Sequence, residues 1–288
     1  MSEQASLQNH FLKQIEPGEL VPVLLSTPYH HDPLTTFASL RKPQGEHLLL
    51  ESAEIDSREN LKSLMLIDAS LRLVCRGNSV HITPLSDNGH VILTWLRTVL
   101  PTAIEQHFTD NGIMQLTVAA PSAELNEHER LLAISNIEPL RILQQQLKAL
   151  REHPFAVFLG GVFAYDLLAS FEDLPDVAEG ANHCPDYQYY LAETLLVIDH
   201  QQQTAELIGT LPGGDNIQLR HEQLCQRMGE ILCRMQFPAS PSPVTAVAYN
   251  PQPTQTQVTP SNTDFLAIID EMKQAIAAGD IFQVVPSR

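Results

Sequence analysis

The chain reads as an α+β protein built of layered antiparallel sheets flanked by helices. Three observations predict this. Apolar runs of strand length are joined by turn signals at Gly77-Asn78 and across His200-Gln201-Gln202-Gln203, and such hairpins make antiparallel pairs. Strands and helices do not alternate strictly, which argues against a doubly wound parallel sheet. Several segments carry apolar residues at the helical period, which supplies helices to cover the sheets.

Along the chain, Asp32-Pro33 marks a helix start, with Asp as N-cap and Pro at the first helical position; Phe37 and Leu40 supply the buried side. His47 to Ser52 reads as an apolar strand that turns polar abruptly, and Ser63 to Asp68 as a second strand. Leu71 to Arg76 and Val80 to Pro84 alternate as a hairpin around Gly77-Asn78. Asp87-Asn88-Gly89 marks a turn. Val91 to Leu100 has helical spacing (Ile92, Trp95, Leu96, Leu100) and stops before Pro101. Met114 to Ala119 is a strand, Ser135 to Leu150 a helix with Leu140, Leu143, Leu147 and Leu150 inward, and Ala156 to Tyr165 a buried strand interrupted by Gly160-Gly161. Leu191 to Asp199 and Thr204 to Ile208 form the second hairpin; Ile217 to Met235 is a helix burying Leu224, Met228, Ile231, Leu232 and Met235.

Phe237 to Asn262 holds Pro238, Pro241, Pro243, Pro251, Pro253 and Pro260 among Ser, Thr and Gln, the composition of an extended linker. It divides the chain into a first domain over 1–237, a linker over 238–262 and the beginning of a second domain over 263–288. In that last stretch Phe265, Ile268, Ile269, Met272 and Ile276 form one helical face, Thr263 or Asp264 caps its start, and Gly279 stands at its C′ position. Ile281 to Val285 reads as a short apolar strand. Such a stub cannot bury a core of its own, so the expectation is a chain that stops inside its second domain.

The formal charge of −17, from 34 acidic against 17 basic residues, disfavours nucleic acid and anionic membrane surfaces as partners. No apolar run is long enough to span a membrane, and Met1 to Glu16 lacks the pattern of a signal peptide, so a cytoplasmic location is expected. Cys75, Cys184, Cys225 and Cys233 form no C-x-x-C pair and are expected to be reduced and mostly buried.

Gly160-Gly161 is followed by no G-K-[ST], and inside an apolar strand such glycines point to close backbone approach. His30 and His31, adjacent in sequence, point apart and make a poor metal pair, so no metal site is expected in this chain. No G-x-S-x-G and no Cys/His nucleophile pair occurs. Leu49-Leu50-Glu51-Ser52 aims a carboxylate and a hydroxyl from the end of a rigid strand, which on spacing alone is an ordinary strand end leaving the core. Gln283, between Phe282 and Val284, is either a ligand or a core amide that needs partners.

The stretches Asp32 to Phe37, Leu48 to Ile55, Leu159 to Leu167, Cys184 to Tyr187, Tyr190 to Gln201 and Gly279 to Arg288 together resemble the N-terminal part of the anthranilate synthase component I family, of the enteric bacterial kind. The resemblance covers nearly the whole chain, and it implies a chorismate-binding type of α+β fold, here truncated. It implies conversion of chorismate and ammonia to anthranilate and pyruvate in tryptophan synthesis. Mg²⁺ would grip the substrate, and a glutamine amidotransferase component II, in a heterotetramer for the full length, would supply the ammonia. It also implies allosteric inhibition by tryptophan at the Leu-Leu-Glu-Ser stretch, with Ser52 foremost and Leu50, Glu51 and Lys62 in support, which reverses the reading from spacing. Gln283 matches a position where relatives that add water to chorismate carry a lysine base; a neutral amide suits ammonia as nucleophile. The remaining catalytic groups and the magnesium ligands of the family belong to sequence this chain does not contain, so this form is expected to be inactive alone. Aminodeoxychorismate synthase component I and a non-catalytic tryptophan-sensing or partner-docking module are the alternatives.

Overall fold

The computed structural model describes residues 11–51, 62–119, 126–170, 183–236 and 258–287. It forms two compact units, Met1–Pro241 and Ser242–Arg288.

The first unit is a ten-stranded sheet, antiparallel but for one pair, with helices packed on it. Its strands are β1 (Glu19–Thr27), β2 (Leu48–Glu51), β3 (Lys62–Arg76), β4 (Ser79–Pro84), β5 (Glu105–Phe108), β6 (Met114–Thr117), β7 (Lys148–Ala149), β8 (Leu159–Phe163), β9 (Tyr187–Asp199) and β10 (Thr204–Pro212). The order is β5-β6-β4-β3-β9-β10-β1-β7, with β2 added to β3 and β8 to β9. The helices are α1 (Pro33–Leu40), α2 (Asp87–Val99), α3 (Glu127–Leu132), α4 (Glu138–Gln146), α5 (Ile217–Gln236) and, in the second unit, α6 (Asn262–Ala278). The α+β class and both hairpins stand as expected: Arg76 pairs with Ser79 around Gly77, whose φ is +56°, and Asp199 pairs with Thr204.

Several elements differ from expectation. The strands read at Ser63 to Asp68 and Leu71 to Arg76 are one strand, β3, which stays paired to β9 through three register shifts between Leu66 and Leu71. The Asp87-Asn88-Gly89 turn is the first turn of α2, capped by the Ser86 hydroxyl accepting from the Gly89 N–H at 3.2 Å. The long helix read from Ser135 shortens to α4, and Lys148 and Ala149 instead pair parallel with Glu19 and Leu20 of β1. The strand at Ala156 to Tyr165 is only β8 and is not buried throughout: Val162 and Phe163 are exposed. The glycine reading holds, because a Cβ on Gly161 would collide with the Gln188 carbonyl oxygen and come within 2.7 Å of Tyr189 Cα. Of the four cysteines only Cys75 is buried; Cys184, Cys225 and Cys233 lie on the surface, on a loop and on the polar side of α5.

In the second unit α6 is capped by Ser261, not by Thr263 or Asp264: its hydroxyl accepts from the Asp264 N–H at 3.2 Å. Gly279 ends the helix at φ +85°, as the sequence predicts. Ile281 to Val285 forms no strand. A strand needs a ladder partner, and none is present among the described residues; Phe282 and Val285 are exposed.

Three apolar clusters hold the first unit. One lies between α2, α4 and the β3–β4–β6 region, built on Leu71, Leu73, Ile82, Leu96, Leu143 and Tyr187. A second packs α1 and α5 on one face of the sheet through Leu40, Met65, Ile67, Leu224 and Met228. The third covers the opposite face, where Leu66, Leu195 and Ile208 meet Phe155 and Phe158.

Candidate functional site

Register fixes which of the expected site residues meet. Leu50 stands opposite Leu64 and Glu51 opposite Ser63 in the β2–β3 pair. Leu64 stands opposite Val197 and Lys62 opposite Asp199 in the β3–β9 pair. Paired residues share a face and successive residues alternate, so Leu50, Lys62, Leu64, Val197 and Asp199 line one face, while Glu51 and Ser63 line the other. The structure therefore brings Leu50 and Lys62 together and separates Glu51 from them. Ser52 lies outside the described residues.

The Leu50–Lys62 face continues into a pocket of about 300 Å³ lined by Ser26, Lys62, Phe155, Val197, Asp199 and Glu206. Phe155 and Val197 give it a small apolar lining; behind them Leu48, Leu64 and Phe158 belong to the third cluster, where the Phe155 and Phe158 rings meet edge-to-face at 6.3 Å. Its rim is charged. The Lys62 ammonium lies 3.7 Å from the Asp199 carboxylate, and His153 Nε2 lies 3.0 Å from Glu206 Oε2. Leu50, on the same face of the sheet, is 39% exposed. One cation and two carboxylates beside a small apolar lining suit a zwitterion, whose carboxylate meets the lysine and whose ammonium meets an acid. On the far face, the His200 ring bridges the Ser63 hydroxyl at 2.9 Å and the Tyr29 hydroxyl at 3.1 Å, which anchors the strand end beneath Glu51.

A larger polar cavity was not foreseen. It occupies about 510 Å³ where the register shifts in β3 and β9 meet the start of α2, one side of α5 and the loop over residues 41–47. The shifts turn Asp68 and Glu193 inward from strands that otherwise bury apolar side chains. Asp68 accepts from Arg227 Nε at 2.8 Å and Nη2 at 3.2 Å, from the Thr194 hydroxyl at 2.8 Å, and pairs with Lys42 Nζ at 2.9 Å. Burial pushes its carboxyl up, but the bonds from Arg227 and Lys42 outweigh that and hold it below the usual range. Arg220, 3% exposed, donates to the carbonyls of Pro212 (2.8 Å), Asp215 (2.9 Å) and Gly214 (3.2 Å) and to Asn88 Oδ1 (2.7 Å). Asn88 passes on a bond to Glu193, whose carboxyl is raised, chiefly by burial. The signal was legible: Asp68 and Glu193 each interrupt an apolar strand run, and Arg220 and Arg227 flank Leu224 on the buried side of α5.

Gln283 is exposed, in the second unit and in no strand. No group of three His, Cys, Asp or Glu side chains placed to hold a metal ion occurs among the described residues, so these residues do not fit a Mg²⁺ site and no step is derived through one. No helix among them is long and apolar enough to cross a membrane.

Residues 105–288 match the model of the family described as chorismate binding enzyme. Glu51, Leu50 and Lys62 precede that match and Gln283 falls within it. The chain is 41% identical to anthranilate synthase component 1 of Vibrio cholerae over 96% of its own length and 51% of that protein. It is 37% identical to the Escherichia coli protein of the same name, over 90% and 48%. The crystal structure of anthranilate synthase component I from Streptococcus pneumoniae aligns over 88% of this chain and 45% of that one at 14% identity and a TM-score of 0.44. The chain spans about half the length of the curated relatives it matches. Since the family model covers well over half of its residues, the chain belongs to the chorismate binding enzymes.

Proposed function

We propose that the protein is the component I of an anthranilate synthase, a lyase that joins ammonia to chorismate and releases anthranilate and pyruvate in the cytoplasm. The observation that carries this reading is the 41% identity to anthranilate synthase component 1 over 96% of the chain. In this reading a glutamine amidotransferase component II supplies the ammonia within a heterotetramer. Any Mg²⁺ would be held by residues other than the described ones and would supply positive charge to the substrate. Gln283 stands beside the reacting carbons as a neutral amide, unable to activate water as a lysine would.

The first unit carries feedback control by tryptophan in this proposal. Its support is chemical. The Leu50–Lys62 face offers Leu50, Leu64 and Val197 as apolar contacts for an indole, a lysine for the carboxylate, and Asp199 or Glu206 for the ammonium. Ser52 is assigned to this site by the resemblance alone. Glu51 pairs with Ser63 on the other face, so its supporting role rests on the resemblance alone.

The test is product identification with the complete gene product, chorismate and ammonium. Ortho-aminobenzoate, seen by its fluorescence and mass, is the expected product. Formation of the para-substituted precursor would identify an aminodeoxychorismate synthase instead. No turnover with ammonium by a folded protein would leave a tryptophan-sensing module as the reading to pursue.

A further inference from the structure

The cavity at the β3–β9 register shifts takes no part in the function above. We propose that it is a second small-molecule site, on the α5 side of the sheet, for a small carboxylate that also carries a hydroxyl or amino donor. At about 510 Å³ it falls within the range of cavities that enclose metabolites. Its walls are rich in cationic donors. Lys42, Arg220 and Arg227 converge with Asn88 from a loop and two helices. Among the described residues the Lys42 ammonium makes one contact, to Asp68, and the Asn88 amide nitrogen one, to Glu193, so each keeps hydrogens for a ligand. Cationic donors of this kind select a carboxylate.

The same walls hold Glu46, Asp68, Asp87 and Glu193. Four carboxyl groups against three cationic side chains reject a bare anion and favour one that brings a donor of its own, which defines the class as a hydroxy- or amino-carboxylate. The apolar side chains of the lining are Ile67, Ala69, Leu85 and Leu224, with His47 its one ring. The mouth is bounded by the loop over residues 41–47, which is pinned to β3 three times. Lys42 pairs with Asp68, Glu46 accepts from Arg72 at 2.6 Å, and His47 Nδ1 meets the Ile67 carbonyl at 2.6 Å. The loop then runs directly into Leu48 of β2, so a ligand that draws Lys42 inward also acts on the strand bearing Leu50.

Calorimetric titration of the 288-residue chain with L-malate and with L-serine tests this, with acetate as the ligand lacking a donor. The expected result is saturable binding of malate or serine, with acetate at least ~10-fold weaker. Lys42→Met removes one half-exposed ion pair to Asp68, a small cost in melting temperature, and should weaken the bound probe by ~10-fold or more. Leu50→Asp, on the other face, should change that probe's affinity by less than Lys42→Met does, which separates this site from the one proposed for tryptophan. Absence of saturable heat with both probes up to about 10 mM would overturn the proposal. So would unchanged affinity in the Lys42 variant, or acetate binding as tightly as malate.

Discussion

Asp68 and Glu193 face the same cavity yet titrate in opposite directions, and pH separates their contributions. The Asp68 carboxyl is held below its unfolded value near 3.9, so its stabilisation is fully present above that pH and is lost as pH falls through the lower folded value. The Glu193 carboxyl is raised, so the fold favours its protonated form; rising pH erodes stability from about 4.3 up to its folded value. Urea denaturation at several pH values checks both. Asp68→Asn should be less stable than the parent at pH 7, with the deficit shrinking below about pH 4. Glu193→Gln should gain on the parent as pH rises from about 4 to 7. A pH-independent difference in either variant would contradict the assignment. These residues were visible in the sequence as charges inside apolar strands. Their convergence was not, because it depends on register shifts that no local periodicity records. Leu50 and Lys62 became candidates through resemblance, and pairing register alone decides that they share a face while Glu51 does not.

Glycine separates packing from propensity among the elements. Gly161→Ala in β8 drives a Cβ into the Gln188 carbonyl of β9 and should destabilise the protein by roughly 1–3 kcal/mol. Gly229→Ala lies mid-helix in α5 with open space around its Cα and should stabilise by up to about 1 kcal/mol. Thermal melts of the two variants check the pair; equal shifts of the same sign would contradict the packing account. The hairpins and α5 were legible because turn chemistry and a long apolar stripe act locally. β1 was not foreseen. Pro22 interrupts its apolar run, and a proline is tolerated there because only Glu19 and Leu20 are paired on the β7 side. The two readings of β3 as separate strands fail for a related reason: Asp68 and Ser70 look like a break, but the partner strand carries the pairing past them.

At the scale of the whole molecule, the sheet of the first unit presents two cavities on opposite sides, joined by β2 and the loop before it. The second unit consists of α6 and the segment after it. Phe265, Ile268, Ile269 and Met272 form the expected stripe there, yet none of them is fully buried. Stable burial of such a stripe comes from tertiary partners, which sequence periodicity announces without supplying. The central claim is that the Leu50–Lys62 face reads tryptophan for a chorismate-converting enzyme. The measurement that tests it most directly is tryptophan inhibition of anthranilate formation by the complete gene product, for the parent and for Lys62→Met. The account predicts a rise of at least ~10-fold in the tryptophan concentration needed for half inhibition, with turnover of chorismate little changed. Identical inhibition curves for the two proteins would contradict it.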